Sequence, residues 1–356
     1  MALFYSTFQR KSLEAAYHAL GETLMKKVGI LFGGKSAEHE ISLLSAKNIF
    51  DAIDRTKFDP VMIKIDKSGH WDMSEVSQHD VIFPILHGPF GEDGTMQGYL
   101  KLADIPFVGA DVLGSAVGMD KDVMKRLLRD AQIPIGKFLV LNSCEQPMSF
   151  ADIEKTLGSP VFIKPANMGS SVGISKVRNE AEFSSALKDA FQYDTKVIIE
   201  EFIPGREIEC AVLGNENPAA SLPGEIIPSH DFYSYDAKYI DDKGASLQIP
   251  ANLDEGTIKR IQELAVKVFQ VLCCEGLSRV DFFLKNNSSA KQSSSASQPY
   301  DIIVNEINTM PGFTKISMYP KMWEASGIGY TELITRLIEL AISRFERNRL
   351  LKTSVV

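Results

Sequence analysis

Two stretches of this sequence decide the fold: Arg279-Val280-Asp281-Phe282-Phe283-Leu284 and, after a polar interruption, Ile302-Ile303-Val304-Asn305-Glu306-Ile307-Asn308. Both are rich in β-branched and aromatic residues, which is typical of β-strands. Because side chains alternate between the two faces of a strand, Arg279 and Asp281 share one face, and Glu306 and Asn308 share another. We predict that the strands pair as a hairpin with these two faces aligned.

The aligned face of this hairpin carries two carboxylates, an amide oxygen and a guanidinium. Two acids and an amide suit a hard cation such as Mg²⁺, which proteins usually hold through one or two carboxylates together with phosphate oxygens. The alternative is a solvated hairpin face with charged residues of no special function. The apolar neighbours of Asp281 and Glu306 favour the metal site, because an idle charge among them is costly.

The overall composition is that of a globular protein with more than one domain. A chain of 356 residues exceeds the size of a single hydrophobic core, so we expect two or three domains. The net charge of −8 argues against a nucleic-acid surface or an anionic-membrane binder. The sequence contains no apolar run of about 18 residues, so we predict no membrane span. The cysteines lack zinc or CxxC spacing and are expected to be reduced; they are Cys144, Cys210, Cys273 and Cys274.

We interpret residues 1–24 as an extension without an assigned function. A βα unit follows this extension, with a predicted strand over residues 26–32 and a predicted helix over residues 36–53. Residues 29–36 formally match the P-loop pattern GxxxxGK[ST]. A phosphate cradle needs its loop after the strand, whereas the middle of this match belongs to the strand itself, so we reject it.

Two acids, Glu38 and Glu40, stand at the start of this predicted helix and would repel a phosphate. Glu40 has two interpretations: it anchors the ammonium group of a substrate, or it only complements the positive end of the helix dipole. Spacing alone does not decide between them.

The next predicted strand, residues 80–86, ends in the glycine-rich loop His87-Gly88-Pro89-Phe90-Gly91-Glu92-Asp93-Gly94. Ligands of open α/β sheets bind outside the carboxyl ends of strands, so His87 is a candidate substrate contact. Asp93-Gly94 alone is also an ordinary turn signal.

Two lysines are candidates for phosphate binding. Asp120 is a predicted N-cap for a helix over residues 121–130, which puts Lys121 at the positive helix end, where a bound anion would offset the unfavourable charge. Lys164 stands near the end of a predicted strand over residues 160–165. The Gly/Ser-rich loop at residues 169–173 offers N–H and hydroxyl donors for phosphates, with a flexible loop without a ligand as the alternative.

Two other loops have distinctive compositions. Residues 231–239 are aromatic and polar, which is typical of a loop that faces a substrate. Residues 286–298 are serine-rich and of low complexity, and we expect them to be disordered. A helix over residues 330–347 closes the chain.

Seven blocks together resemble the ATP-grasp superfamily and, within it, the D-alanine–D-alanine ligases. They occur in family order over residues 25–345, which makes the set far more specific than any single block. The blocks are Gly33-Gly34 with Ser36-Ala37-Glu38-His39-Glu40-Ile41-Ser42, His87-Gly88 with Gly91-Glu92-Asp93-Gly94, Met119-Asp120-Lys121, Lys164-Pro165-Ala166-Asn167 with Gly169-Ser170-Ser171-Val172-Gly173, Tyr235-Asp236-Ala237-Lys238-Tyr239, Arg279-Val280-Asp281, and Asn305-Glu306-Ile307-Asn308-Thr309 with Pro311-Gly312.

The resemblance implies an α/β (α+β) ATP-grasp fold of three domains, with ATP between two antiparallel sheets. The implied domains are an N-terminal Rossmann-like substrate domain at residues 25–115, a central ATP-grasp domain at 116–204, and a C-terminal ATP-grasp domain with the metal site at 205–356.

The resemblance also implies roles for individual residues. The implied nucleotide contacts are Lys121 and Lys164 on the phosphates, Glu200 and the backbone near Ile203 on adenine, Glu207 on the ribose, Lys238 toward the transferred phosphoryl group, and further Ser171, Glu201 and Asn305. The implied substrate contacts are Glu40 with Ser170 and Tyr239 around the first D-alanine ammonium, His87 beside the substrates, Ser317 and Met318 at the second D-alanine, and Arg279 with the Gly312 N–H on the oxyanion. The implied ligands of two Mg²⁺ ions, with Mn²⁺ as a substitute, are Asp281, Glu306 and Asn308.

The implied activity is ATP-dependent ligation of two D-alanines through an acyl phosphate, for peptidoglycan precursors, by a cytoplasmic homodimer with no nucleic-acid or membrane partner. One alternative is a D-alanine–D-lactate ligase or another ATP-grasp carboxylate–amine ligase. Tyr239 favours D-alanine, because D-lactate ligases depart from the family at this tyrosine. A second alternative is a non-catalytic nucleotide-binding protein on the same scaffold.

Overall fold

The computed structural model describes residues 25–228, 245–287, 299–352 and 354, and these form three β-sheets covered by helices. The first sheet is parallel, with strand order β2-β1-β3. Its elements, in chain order, are β1 (Lys26–Gly33), α1 (His39–Ala52), β2 (Phe58–Ile65), a 3₁₀ helix (Met73–Gln78), β3 (Val81–Ile85) and α2 (Thr95–Leu102).

The turn from β1 into α1 depends on a glycine. Gly33 has φ +97°, and a Cβ there would lie 2.1 Å from the carbonyl oxygen of Ile65, so only glycine fits. The Gly33 N–H donates to the Ser42 hydroxyl at 2.8 Å, and that hydroxyl donates to the carbonyl of Ile85. These bonds tie the start of α1 to the carboxyl ends of β1 and β3, where ligands of such sheets bind.

The second sheet is antiparallel, with strand order β4-β7-β5-β6. Two helices with buried apolar stripes cover one of its faces and form a separate core with it. This part of the chain consists of α3 (Val112–Met119), α4 (Lys121–Asp130), β4 (Phe138–Asn142), α5 (Phe150–Leu157), β5 (Val161–Pro165), β6 (Ser175–Val177), α6 (Glu180–Ala190) and β7 (Lys196–Glu201).

The third sheet has strand order β11-β10-β8-β12-β13, with β9 also paired to β8. Helices α7 and α4 pack on one face of it, since Met124 and Leu128 of α4 share a core with Phe269 of α7 and Phe282 of β12. The elements are β8 (Arg206–Gly214), β9 (Ala219–Ala220), β10 (Gly224–Pro228), β11 (Ala245–Gln248), α7 (Glu255–Val271), β12 (Gly276–Asn286), β13 (Tyr300–Asn308), α8 (Met318–Ala325) and α9 (Tyr330–Arg349).

The predicted hairpin is confirmed by the pairing of β12 with β13. Arg279 lies opposite Asn308, and Asp281 lies opposite Glu306, as the alternation of side chains predicted. The register then shifts, because Phe282 pairs with Val304, so Asn305 is an extra residue in β13. Such a bulge re-aims neighbouring side chains and is common beside active sites.

The first sheet and the last helix share one hydrophobic core. Alternate residues of β1, such as Ile30, face α1 and α9, whereas Leu31 faces the opposite side and packs in a core with Phe107. Arg344 of α9 is buried and donates to the carbonyls of Gly109 and Phe107. The end of the chain therefore covers the sheet formed by its beginning.

The remaining predictions about the fold have different outcomes. The predicted loop at residues 231–239 and most of the serine-rich stretch lie outside the described residues. Within the described ranges, no helix is both long and apolar enough to cross a membrane. The domain limits stay a prediction. Packing of α4 on the third sheet shows that residues 121–130 contribute to the core of that sheet.

Candidate active site

The Glu38 carboxylate lies at the centre of the site, where three loops meet. The Ser170 hydroxyl, from the Gly/Ser-rich loop after β5, donates to the Glu38 carboxylate. A Cβ at Gly88 would lie 3.2 Å from Glu38 Oε2, and a Cβ at Gly169 would lie 3.4 Å from the same atom. The start of α1, the loop after β3 and the loop after β5 thus surround one negative charge.

The contact expected of Glu40 is made by Glu38, so that prediction is wrong in its geometry. Glu40 is on the surface, where Glu40 Oε1 lies 2.7 Å from the Lys67 ammonium and the Glu40 side chain is 67% exposed. Helix α1 begins at His39, so Glu38 is the N-cap residue outside the helix, whereas Glu40 is in its first turn. Tyr239, the expected third member of the set, lies outside the described residues.

The loop that carries Ser170 is conformationally strained. Ser170 and Ser171 have φ of 52° and 61°, a left-handed conformation that non-glycine residues rarely adopt. The start of the loop is held by Lys121, whose ammonium donates to the carbonyl of Met168 at 2.6 Å. Strain of this kind is concentrated at ligand clamps and active sites.

The loop after β3 supplies a buried histidine and a buried acid. His87 Nδ1 lies 3.0 Å from the carbonyl oxygen of Met310, and burial lowers the pKa of His87 below its usual value. Glu92, which in the sequence is only one member of the glycine-rich motif, accepts the Gly88 N–H at 2.5 Å. Burial and the nearby Glu38 carboxylate raise the pKa of Glu92 to about 8. Both groups are therefore predominantly neutral near pH 7.

A buried charge cluster joins the second sheet to α4. The Glu200 carboxylate lies 2.6 Å from the ammonium of Lys164 through one oxygen and 2.6 Å from that of Lys125 through the other. Burial alone would raise the pKa of Glu200, but Lys125 and Lys164 outweigh it and lower the pKa to about 2. Burial alone would likewise lower the pKa of Lys164, but Glu200 and Glu306 outweigh it and raise the pKa.

Lys121 stands at the first position of α4, as predicted. Asp120 caps the helix by accepting the N–H groups of Asp122 and Val123 at 3.1 Å each, and Lys196 holds the cap through contacts of 2.8 and 2.6 Å. The Lys121 side chain is buried, its ammonium lies 3.9 Å from Glu306 Oε2, and burial lowers its pKa. This lysine thus connects the helix end to the acidic hairpin.

The hairpin face holds its guanidinium tightly. Arg279 binds both Asp281 oxygens at 2.7 Å, and its Nε lies 3.0 Å from Glu209 Oε2. Burial would lower the pKa of Arg279, but Asp281 and Glu209 outweigh it and raise the pKa well above the usual value. Asp281 lies opposite both Glu209 and Glu306, so three carboxylates form one row across β8, β12 and β13.

The donors on this face fit a magnesium ion that is shared with phosphates. In the part of the chain that the structure describes, no group of three or more His, Cys, Asp or Glu side chains could hold a metal ion by itself. The predicted set is two carboxylates and the amide oxygen of Asn308, which accepts the Met310 N–H at 3.0 Å and has a second lone pair. Mg²⁺ is commonly bound by such a small set because substrate phosphates and water complete its six ligands.

The turn after β13 is fixed against α1. The Ser45 hydroxyl accepts the Phe313 N–H at 3.1 Å, and the Asn48 amide donates to the Phe313 carbonyl at 3.0 Å. A Cβ at Gly312 would lie 2.9 Å from the Ser317 hydroxyl, so a side chain there would displace that hydroxyl. Ser317 precedes α8, and Met318, its first residue, is buried.

Three of the remaining predicted nucleotide contacts lie on or next to β7 and β8, namely Glu201, Ile203 and Glu207. Glu201 Oε1 accepts the Lys137 N–H at 2.7 Å, and a Cβ at Gly136 would meet Ile203 at 2.9 Å. Glu207 lies opposite Phe283 of β12, two residues from Glu209 and on the same face of β8. Lys238 lies outside the described residues.

Two families match this chain in sequence. The family described as D-ala D-ala ligase C-terminus matches residues 127–339, and the family described as D-ala D-ala ligase N-terminus matches residues 27–79 and 72–110. Together these matches cover most of the chain.

Relatives and solved structures agree with these matches. The D-alanine–D-alanine ligase of Oceanobacillus iheyensis is 52% identical over 374 aligned residues, covering 93% of this chain and 99% of that protein. D-alanine–D-alanine ligase A of Escherichia coli is 49% identical, covering 92% and 99% respectively.

Among solved structures, the D-alanine–D-alanine ligase from Coxiella burnetii has a TM-score of 0.78 at 37% identity, covering 92% of this chain and 96% of that one. The VanG D-Ala:D-Ser ligase from Enterococcus faecalis has a TM-score of 0.78 at 36% identity, covering 89% and 100%. The predicted ATP-grasp fold class is thereby confirmed. The chain belongs to the D-alanine–D-alanine ligase family.

Proposed function

We propose that this protein joins two D-alanines to D-alanyl-D-alanine with ATP as the energy source, for the synthesis of peptidoglycan precursors. One observation carries the proposal: the buried ammonium of Lys121 lies 3.9 Å from Glu306 Oε2 of the acidic hairpin face. A fixed cation next to paired acids is the arrangement that phosphoryl transfer requires, since catalysis there consists mainly of positioning and charge neutralisation.

ATP would lie between the second and third sheets. Lys121 and Lys164 would bind its phosphates, Glu200 and the backbone near Ile203 its adenine, and Glu207 its ribose. The other proposed nucleotide contacts are Ser171, Glu201, Lys238 and Asn305. The pairing of β5 with β7 supports this arrangement, because it brings Lys164 and Glu200 together in one part of the second sheet.

The hairpin face would hold Mg²⁺, with Mn²⁺ as a substitute, through Asp281, Glu306 and Asn308. When bound, the ions neutralise charge that develops on the phosphate oxygens during transfer. Arg279 binds both oxygens of Asp281 in the structure, so it fixes the orientation of that carboxylate.

The first D-alanine would bind with its ammonium on Glu38, which replaces Glu40 in this role, and Ser170 and Tyr239 complete the set. Its carboxylate attacks the γ-phosphorus of ATP, and ADP leaves with the electrons of the broken bond. The product is an acyl phosphate, which has the good leaving group that a free carboxylate lacks. Lysines 121 and 164 offset the negative charge during this step.

The second D-alanine would place its carboxylate by Ser317 and Met318, at the start of α8, where the helix dipole favours an anion. Its neutral amine attacks the acyl carbon and loses a proton, and inorganic phosphate departs. Arg279 and the Gly312 N–H would stabilise the tetrahedral oxyanion. His87 would lie beside the reacting groups as a neutral ring, because burial lowers its pKa.

We also propose a cytoplasmic location, where ATP is available, and a homodimeric state, which the family resemblance implies. The three domains would span residues 25–115, 116–204 and 205–356. The strained Ser170–Ser171 turn supports a closing role for its loop, since the acyl phosphate must be kept from water.

The test is an assay of phosphate release from ATP and Mg²⁺ by the purified protein, with D-alanine, D-lactate or D-serine as added substrates, and chromatography of the product. We expect release with D-alanine alone and formation of D-alanyl-D-alanine. Release that requires D-lactate or D-serine as partner would favour a ligase of different specificity. No release with any of them, together with ATP binding, would favour the non-catalytic alternative.

A further inference from the structure

A second lysine contacts Glu200, and no role in the reaction has been given to it. Lys125 lies one turn after Lys121 on α4, its side chain is only 2% exposed, and its ammonium lies 2.6 Å from Glu200 Oε1. The ammonium also lies 5.9 Å from the centre of the Phe138 ring, which is within the range of a cation–π contact. Burying a lysine is costly unless its charge is paired, so this position needs an explanation beyond packing.

The explanation follows from what nucleotide binding does to Lys164, and it rests on the function proposed above. In the structure, Lys164 is paired with Glu200 at 2.6 Å. A triphosphate that binds the Lys164 ammonium draws this charge away from Glu200 and brings further negative charge near it. A buried carboxylate that loses its only partner is strongly destabilised. Glu200 does not lose its only partner, because Lys125 holds its other oxygen.

We propose that Lys125 is a positioning residue for the nucleotide: it keeps Glu200 ionised and in place when Lys164 binds the triphosphate, so that Glu200 accepts a hydrogen bond from the adenine amino group. Each of the two lysines contacts a different oxygen of the Glu200 carboxylate. Lys164 is on β5, and both Glu200 and Glu306 attract its charge and raise its pKa. Lys125, in contrast, is at a buried position of α4. We therefore expect Lys125 to stay paired with Glu200 when the triphosphate binds Lys164.

This role has a consequence for the choice of base. An ionised carboxylate only accepts hydrogen bonds, so it pairs with the amino group of adenine and repels the carbonyl oxygen of guanine. A protonated carboxyl group could donate to that oxygen. Removing Lys125 makes protonation of Glu200 easier, because the low pKa of Glu200 depends on both lysines. Selectivity for ATP over GTP should therefore fall together with ATP affinity.

The test compares Lys125→Met with Lys125→Arg, which keeps the charge, in the full chain. The measurements are ATP affinity without D-alanine, by calorimetry, and KM and kcat for ATP, GTP and D-alanine. Loss of a charge-assisted hydrogen bond predicts an ATP affinity lower by about tenfold to a hundredfold for Lys125→Met. We expect the KM for D-alanine to stay within about twofold, the ATP-to-GTP preference to fall, and Lys125→Arg to recover most of the loss.

The same substitution in a Glu200→Gln background separates positioning from general stability. If Lys125 acts through Glu200, Lys125→Met should change ATP affinity by less than about twofold there. Full loss in that background, or unchanged ATP affinity in Lys125→Met alone, would overturn the proposal. If Lys125→Met does not fold, Lys125→Gln replaces it with the same expected direction. Wild-type protein that binds ATP but makes no dipeptide would refute the proposed function and leave this binding test valid.

Discussion

The two acids at the start of α1 provide a matched pair of variants, Glu38→Gln and Glu40→Gln. Each substitution removes one negative charge and hardly changes the size of the side chain, and the two positions are two residues apart. Glu38 contacts Ser170 inside the site, whereas the Glu40 side chain is 67% exposed and pairs with Lys67. Only the first substitution should therefore change the binding of the D-alanine ammonium.

The magnitude follows from the kind of interaction that is lost. A hydrogen bond to a charged group contributes about 1.5–3 kcal/mol, so Glu38→Gln should lower kcat/KM for D-alanine by about 10- to 150-fold. An exposed ion pair contributes little, so Glu40→Gln should stay within about twofold of wild type. A second effect is specific to Glu38: its charge helps to raise the pKa of Glu92, so in Glu38→Gln the pKa of Glu92 should fall.

The assay is phosphate release at saturating ATP and Mg²⁺ with varied D-alanine, and thermal melts of both variants serve as the control for folding. The KM for ATP should be unchanged in Glu40→Gln, because this acid is exposed and pairs with Lys67. An equal loss in the two variants, or a larger loss in Glu40→Gln, would refute the assignment of Glu38 as the ammonium anchor and restore the original interpretation of Glu40.

Three further predictions test the hairpin, the rejected P-loop and the buried acid. Glu306→Gln should lower kcat at least about a hundredfold and leave the melting temperature nearly unchanged; wild-type phosphate release would contradict the metal assignment. Lys35→Ala should leave the KM for ATP unchanged, because the Lys35 ammonium lies over the Phe90 ring, and a large increase in that KM would revive the P-loop. Burial and Glu38 raise the pKa of Glu92 from 4.5 to about 8, so its contribution to stability is fully present below pH 4.5 and is lost as pH rises through about 8. Between pH 5 and 9, the melting temperature of Glu92→Gln should consequently fall less than that of wild type, and parallel curves would show that Glu92 does not titrate in this range.

The sequence allowed correct prediction of elements whose signals are local and periodic. The register of β12 with β13 follows from period-two alternation, because a slip by one residue would turn Asp281 and Glu306 to opposite faces. The start of α4 follows from a single N-cap, Asp120. These signals are strong because each depends on neighbours in the chain.

Short elements were missed for identifiable reasons. In strand β4 (Phe138–Asn142) only Leu141 is fully buried and the other four residues are partly buried, so the strand shows no alternation. Helix α8 contains Pro320 in its first turn, where proline is tolerated although it resembles a helix breaker in the sequence. Helix α5 did carry a signal, since its N-cap Ser149 precedes buried residues at helical spacing.

Spacing in the sequence could have indicated the positions of Lys125 and Glu209, but it could not decide between Glu38 and Glu40. Lys125 is four residues after Lys121 and next to Met124, on the buried face of α4, and a lysine among core positions indicates a paired charge. Glu209 follows Glu207 at strand spacing. The choice between Glu38 and Glu40 required the exact start of α1 at His39, and sequence patterns place helix ends only to within a few residues.

The core shared by β1 and α9 affects how this protein is made. Residues of β1 such as Ile30 are covered by residues near the other end of the chain, such as Leu337. A ribosome synthesises the chain from the N-terminus, so β1 leaves the exit tunnel long before its covering helix exists. The part of this face that α9 covers, and α1 does not, therefore stays exposed until translation is almost complete. A nascent chain stalled before residue 330 should consequently be bound by chaperones that recognise apolar strands.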